Sequence, residues 1–240
     1  VTSSTLLLRL SAPMQSWGAH SRFEHRDTIT EPTKSGVAGL LAAALGRTRD
    51  VDPADLAALR MAVRADREGR IERDYQAAQN VPNTMGKNHR TIISNRYYLA
   101  DACFLAALTG PAPFIDQLAT ALRRPVFPLF LGRRAFPAPP DLLIGTTSDP
   151  AEQAVRTHPW LEDQPALRTK AHEELQDGAP LLLRCVIEIP PEPGTAVLND
   201  QPISFVDGAR RYGRRHIRTE LIPLTDALLS QTPERGTRCT

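Results

Sequence analysis

Two hydrophobic periods alternate along the chain, and the switches between them predict its elements. TLLLRL at residues 5–10 is a continuous apolar run bounded by Ser11-Ala12-Pro13, which predicts a first strand. Val37, Leu40, Leu41, Ala44 and Leu45 recur at i, i+3, i+4, i+7 and i+8, one face of a helix. Thr33 or Ser35 caps this helix after Pro32, and Gly46 stops it. A short helix over 54–59 leads into 60–66, where Met61, Val63 and Ala65 alternate as in a half-buried strand. A further strand is predicted over 97–108, and Phe114, Ile115, Leu118 and Leu122 mark a second long helix over 114–123.

Strand, helix, strand, strand, helix needs one more strand to complete a ferredoxin-like split unit. Inside it, residues 67–96 are polar, rich in arginines and amides, and without apolar period. So long an excursion within a compact domain is functional or disordered. Proline is dense over 125–140, and strand candidates return at 181–189, 203–206 and 216–222, separated by proline and glycine breaks. The expectation is an α+β protein: a larger domain over 1–148, and a smaller, mostly β lobe over 149–240 with a flexible tail.

Composition narrows the class without naming a function. With 41% hydrophobic and 23% charged residues over 240 positions, the chain has an ordinary soluble composition. No apolar run approaches the roughly 20 residues that span a bilayer, so a cytoplasmic protein without a membrane partner is expected. Cys103, Cys185 and Cys239 are odd in number and far apart, which argues against a disulfide framework and a zinc site, so neither metal nor cofactor is expected. The histidines lack HExxH spacing and no GxSxG elbow exists.

Charge is more informative in its distribution than in its sum of +2. Arg123, Arg124, Arg133 and Arg134 stand in an acid-free stretch, five arginines stand in 207–218 against Asp207 alone, and 149–177 between them is acidic. Arginine supplies all the basic residues but Lys34, Lys87 and Lys170. Its planar fork suits phosphates and base edges, although a GC-rich genome also favours arginine.

TITEPTKSGVAGLLAAALG, residues 28–46, is not a P-loop, because its lysine precedes the glycine and no glycine stands five residues ahead of Gly36. What remains at Thr33-Lys34-Ser35 is a helix start whose free N–H groups and dipole favour an anion such as an RNA phosphate, unless it is a plain capped helix. PMQSWG offers Gln15, Ser16 and Trp17 for bonding and stacking on a base, or for the core. Residues 70–98 gather Arg70, Arg73, Tyr75, Lys87, His89, Arg90 and Arg96, the composition of an arm ordered on a polyanion or of a solvated loop. Gly132-Arg133-Arg134 in FLGRR forms a glycine-opened turn with paired arginines, and ARRYGRRHIR at 209–218 adds Arg211, Tyr212 and Arg214. Metal-free RNA cleavage would need an acid and a base, which His20, His89, His216 or Tyr97 could supply.

Four stretches in this order, LLLRLSAPMQSWG, PTKSGVAGLLAAALG with the following RTRD, NRYYLADACF and FPLFLGRRAFP, resemble the CasD-type subunits of the type I-E CRISPR complex Cascade. These belong to the RAMP superfamily, as its fifth numbered core family of CRISPR-associated proteins. The likeness covers roughly 5–148 and returns weakly over 203–218. It implies a ferredoxin-like or RRM-like palm, a long β-hairpin thumb over about 67–97, and a small C-terminal lobe. It further implies a non-catalytic subunit that grips the 5′ handle of the crRNA, caps a backbone of CasC-type subunits and touches the large CasA-type subunit, while the thumb displaces a nucleotide at the handle–spacer junction. The residues it turns toward RNA are Gln15, Ser16, Trp17, Lys34, Ser35, Arg47, Arg49, Gly132, Arg133 and Arg134, with Tyr75, His89 and Arg96 from the thumb and Arg211 and Arg214 from the second patch. Relatives in subtype I-C cleave RNA themselves, so a metal-independent endoribonuclease processing pre-crRNA is the alternative reading.

Overall fold

The computed structural model describes residues 2–18 and 25–230. His20 and the tail TPERGTRCT lie outside the described residues. The chain begins with β1 (Ser3–Ser11), two short segments β2 (Met14–Gln15) and β3 (His25–Arg26), helix α1 (Lys34–Ala44) and the single turn α2 (Ala54–Ala57). β4 (Arg60–Arg67) leads into a hairpin of β5 (Arg70–Val81) and β6 (Arg90–Ala100), followed by β7 (Cys103–Pro111), α3 (Ala112–Arg123) and β8 (Leu143–Thr147). Then come α4 (Ala151–Thr157), α5 (Pro165–Gln176), β9 (Leu182–Glu188), β10 (Ala196–Ser204), β11 (Arg211–Pro223) and α6 (Asp226–Ser230).

Seven strands form one sheet in the order β10-β11-β9-β4-β7-β1-β8, antiparallel at every pairing. Its stretch β4-β7-β1-β8 carries the strand order of the ferredoxin-like unit, with β8 as the closing strand. β9 joins β4 directly, with Val186 opposite Val63, so the strands beyond 149 extend the palm's own sheet. The expected boundary at 148/149 falls between β8 and α4 of this continuous sheet.

α1 and α3 cover one face around Leu6, Leu8, Leu41, Phe104 and Leu118, while α4 covers the other around Leu105, Ala107 and Val155. Being sandwiched, β4 is buried on both faces instead of one. Arg64 and Asp66 therefore lie in the interior, which they tolerate as an ion pair, with Arg64 Nη1 also donating to the carbonyls of Val155 and His158. Thr33 caps α1 by accepting from the Gly36 N–H, and Gly46 ends it at φ +73°.

The stretch expected as one strand over 97–108 is two, because Asp101 turns at φ +57° where the hairpin leaves the palm. β10 starts earlier than the apolar pattern suggested. Register shifts around Leu198–Gln201 hide its alternation, and Asp200 is buried in it by an ion pair. Among the described residues no helix is long and apolar enough to cross a membrane.

The polar excursion is the β5–β6 hairpin, paired from Arg70↔Ala100 to Val81↔Arg90. Twelve residues of β5 reach roughly 40 Å. One edge of β6 is covered by β5, and the other only near its root by β2 and β3. The hairpin has almost no buried side chains of its own, which is why no hydrophobic period announced it.

Candidate nucleic-acid interface

The FLGRR turn is seated on the PMQSWG stretch by backbone contacts. Leu131 accepts from the Ser16 N–H at 3.1 Å and donates its own N–H to the Phe136 carbonyl at 2.8 Å. Gly132, at φ +89°, lies so close that a Cβ there would sit 1.7 Å from the Ser16 carbonyl oxygen. Only glycine fits, for lack of both space and backbone freedom. The turn thereby projects Arg133, whose Nη2 donates to the Arg26 carbonyl at 2.9 Å and whose guanidinium lies 5.8 Å from the Phe136 ring centroid.

Three arginines meet at this point. β3 runs parallel to β6 with Arg26 opposite Arg96, and Arg133 joins them from the turn. Burial, and then repulsion from Arg26 and Arg96, lower the pKa of Arg133, against the pull of Asp74 and Asp27. Among the described residues no salt bridge neutralises Arg26, Arg96, Arg133 or the exposed Arg134. Three arginines held together, with Asp27 and Asp74 acting on Arg133 but in salt-bridge contact with none of the three, can take phosphate oxygens, which would relieve the repulsion and accept the forked hydrogen bonds. Tyr98, facing the same turn, packs its ring 5.9 Å from Phe136. Arg26 was missed by sequence reasoning: no period marks it, and only the β3–β6 pairing places it beside Arg96.

Several expected contacts are corrected. Gln15 and Trp17 are core residues: Gln15 Nε2 donates to the Ala102 carbonyl at 2.8 Å and its Oε1 accepts the Trp17 indole N–H at 2.9 Å. Trp17 packs on Gly36 at the start of α1, so no base reaches its ring. Ser16 is buried as well and contributes by backbone.

Lys34 is 1% exposed, with Nζ donating to both oxygens of Glu188 at 2.8 and 2.9 Å. The anion at the helix start is the protein's own Asp200, which accepts the Lys34 N–H at 2.7 Å and is clamped by Arg215. A phosphate finds this position filled, and half-buried Ser35 stands in the same capped turn.

The remaining candidates divide by location. Tyr75 and His89 are exposed on the hairpin, Tyr75 on β5 and His89 in the loop before β6, where its Nδ1 meets the Asn80 carbonyl at 3.1 Å. Arg96 lies near the hairpin root, its Nε donating to Ser94 Oγ at 3.3 Å. Arg47 is bound by Asp55, and Arg49 by Asp207 near the tip of the β10–β11 hairpin. Arg211 and Arg214 are exposed on β11 near that tip. The other end of β11 pairs Leu221 with Arg184, and Arg184 bonds Glu68 beside the thumb root. Ten residues of strand, roughly 30 Å, thus separate the second arginine patch from the thumb end. Among the described residues no group of histidines, cysteines and acids could hold a metal ion.

A ferredoxin-like palm with a hairpin between its second and third strands and a glycine–arginine turn at its base defines a RAMP-like protein. The chain belongs to the family of CRISPR-associated proteins (Cas_Cas5), whose profile matches residues 5–218. It is 38% identical over 175 residues, 65% of this chain and 78% of the relative, to the CRISPR system Cascade subunit CasD of Escherichia coli (strain K12). A solved chain described as "CRISPR RNA-guided surveillance complex" matches with a TM-score of 0.78 and 36% identity, over 92% of this chain and 90% of that one. Another, described as "Crystal structure of Cas protein", matches at 0.67 and 36% identity over 98% of each.

Proposed function

We propose that this chain is the crRNA-binding subunit of a type I-E CRISPR surveillance complex, gripping and capping the 5′ handle without cleaving it. The observation that carries this reading is the convergence of Arg26, Arg96 and Arg133 on a glycine-held turn at the thumb root. Phosphates of the handle bind there, and the thumb extends past them to displace a nucleotide at the handle–spacer junction. CasC-type backbone subunits and the CasA-type large subunit are the protein neighbours this role requires. The family membership and the likeness to a surveillance-complex chain support the assignment.

The test is handle affinity and complex assembly with Arg133→Ala combined with Arg134→Ala. Weakened handle binding with an unchanged fold is expected, and unchanged affinity and assembly would defeat the assignment of the turn. Incubating the purified chain with repeat RNA in EDTA addresses the endoribonuclease alternative. Intact RNA is expected; a defined cut, lost on replacing one histidine or Tyr97, would establish the enzyme instead.

A further inference from the structure

A row of three charged side chains crosses the thumb root. β6 pairs with β3 on one edge and with β5 on the other, and both registers meet at Arg96, which stands opposite Arg26 and opposite Asp74. Residues directly opposite share a face, so two guanidiniums and a carboxylate lie side by side across roughly 10 Å, twice the strand spacing. Tyr98, two positions along β6, belongs to the same face and packs against Phe136, the ring that also carries Arg133. Asp74 is half-buried, whereas every other residue of β5 up to Asn80 is exposed. A carboxylate in this company should bond an arginine, but among the described residues none reaches it, although its charge acts on Arg133 through space. Its Oδ2 instead accepts from a neutral amide, Gln76 Nε2, at 2.6 Å. Gln76 is the next residue of β5 on this face and orients the carboxylate without neutralising it, leaving acceptor sites on both oxygens.

We infer that Asp74 reads the edge of one base, a guanine, in the strand whose phosphates the arginines hold; this deepens the RNA-binding reading of the site and rests on it. Single-stranded RNA offers its base edges for hydrogen bonding once its backbone is fixed. A phosphate on Arg26 and Arg96 brings a base edge within the span of the row, where Asp74 stands at the far end. An ionised carboxylate only accepts, so it selects edges that donate. Guanine turns two parallel donors outward, its ring N1–H and its 2-amino group, which match the two carboxylate oxygens. Adenine and cytosine set a single amino group beside a ring nitrogen acceptor, and uracil sets one N–H between two carbonyls, so each brings a lone pair against the carboxylate.

The experiment is equilibrium binding of the full chain to its repeat-derived 5′ handle RNA, with each position in turn carrying each of the four bases. Wild type is expected to prefer guanine at one position by roughly tenfold. Asp74→Asn puts an amide where the carboxylate stood and is expected to abolish that preference, while Gln76→Ala frees the carboxylate and is expected to weaken it. Glu72→Gln removes a neighbouring charge from the same face of β5 and is expected to keep the preference intact. All of these positions lie on the hairpin outside the palm core, and each variant is matched to wild type in thermal melting. A preference for another base, one that survives Asp74→Asn, or one lost equally in Glu72→Gln overturns the inference. So does Asp74→Asn binding that tightens alike for all four bases, which would make Asp74 only a damper of the arginine charge. Arg133→Ala tests the underlying reading separately: weakening by the same factor for every base is expected, and unchanged binding would defeat the thumb-root site itself whatever Asp74 does.

Discussion

The carboxylate of Asp200 in β10 accepts the first backbone N–H of α1, from Lys34, at 2.7 Å. This contact joins residues 166 positions apart and ties the C-terminal extension of the sheet to the palm helix. Glu188 completes the lock, accepting from Lys34 Nζ and from the Met61 N–H at 3.0 Å.

Replacing Asp200 by Ala therefore acts on stability. Arg215, itself buried, would lose both of its charge-assisted bonds, and the helix start would lose its anion. Removing one partner of a buried pair costs about 3–5 kcal/mol, which at this chain length lowers Tm by roughly 10 °C. Lys34→Met tests the same lock from the other side. The expected outcome is a lowered Tm with unchanged RNA affinity per folded molecule; reduced affinity at wild-type stability would restore Lys34 as a phosphate ligand.

How legible this was in the sequence depends on the range of the interaction. α1 and α3 could be read directly because each buries one periodic face against the sheet, and β1 because it is buried on both faces and so reads as an unbroken apolar run. The glycine–arginine turn was also visible, since Gly132 and its paired arginines are adjacent in the chain. The partners of Lys34 were not, because Glu188 and Asp200 lie more than 150 positions away and a carboxylate carries no mark of what it will face. The same holds for Gln15 and Trp17, whose polar atoms satisfy each other inside the core. A polar residue that looks available in sequence is available only if the fold has not already partnered it.

Gly132→Ala should separate positioning from stability. An added Cβ would overlap the Ser16 carbonyl oxygen and hold a positive φ that disfavours L side chains, so the turn must move. The turn lies outside the seven-stranded sheet, so Tm is expected to fall by only a few degrees. Arg133 is displaced, and RNA affinity is expected to fall roughly tenfold, about as for Arg133→Ala. Full affinity in this variant, measured by equilibrium binding, would show that the turn does not place the arginine.

The two buried cysteines predict an alkaline limit to stability. Burial is the first cause that pushes both the Cys103 and the Cys185 thiol up to about 12. An unfolded thiol ionises near pH 8.5, so above that value the unfolded state releases protons that the folded state retains. Their contribution is present in full below about pH 8.5 and is lost as pH rises toward 12. Denaturant unfolding from pH 8 to 11 should show falling stability, with a shallower slope in Cys103→Ala/Cys185→Ala, whose baseline is lower. An equal slope in that variant would assign the alkaline loss to other groups.

Salt dependence gives the most direct count of phosphate contacts at the thumb root. Each phosphate neutralised on a single strand contributes about 0.7 to the slope of log affinity against log salt. If Arg26, Arg96 and Arg133 each meet a phosphate, Arg→Ala at any one lowers the slope by about that amount, and the triple variant by roughly 2. Repulsion within the cluster sets a further expectation. Because Arg26 and Arg96 oppose each other and Arg133 in the free protein, removing one should leave Tm unchanged or slightly raised while weakening RNA binding. Affinity measured at several salt concentrations, with Tm beside it, checks both. A slope indifferent to all three substitutions would mean that the cluster faces solvent or protein, and that the handle lies elsewhere on the palm.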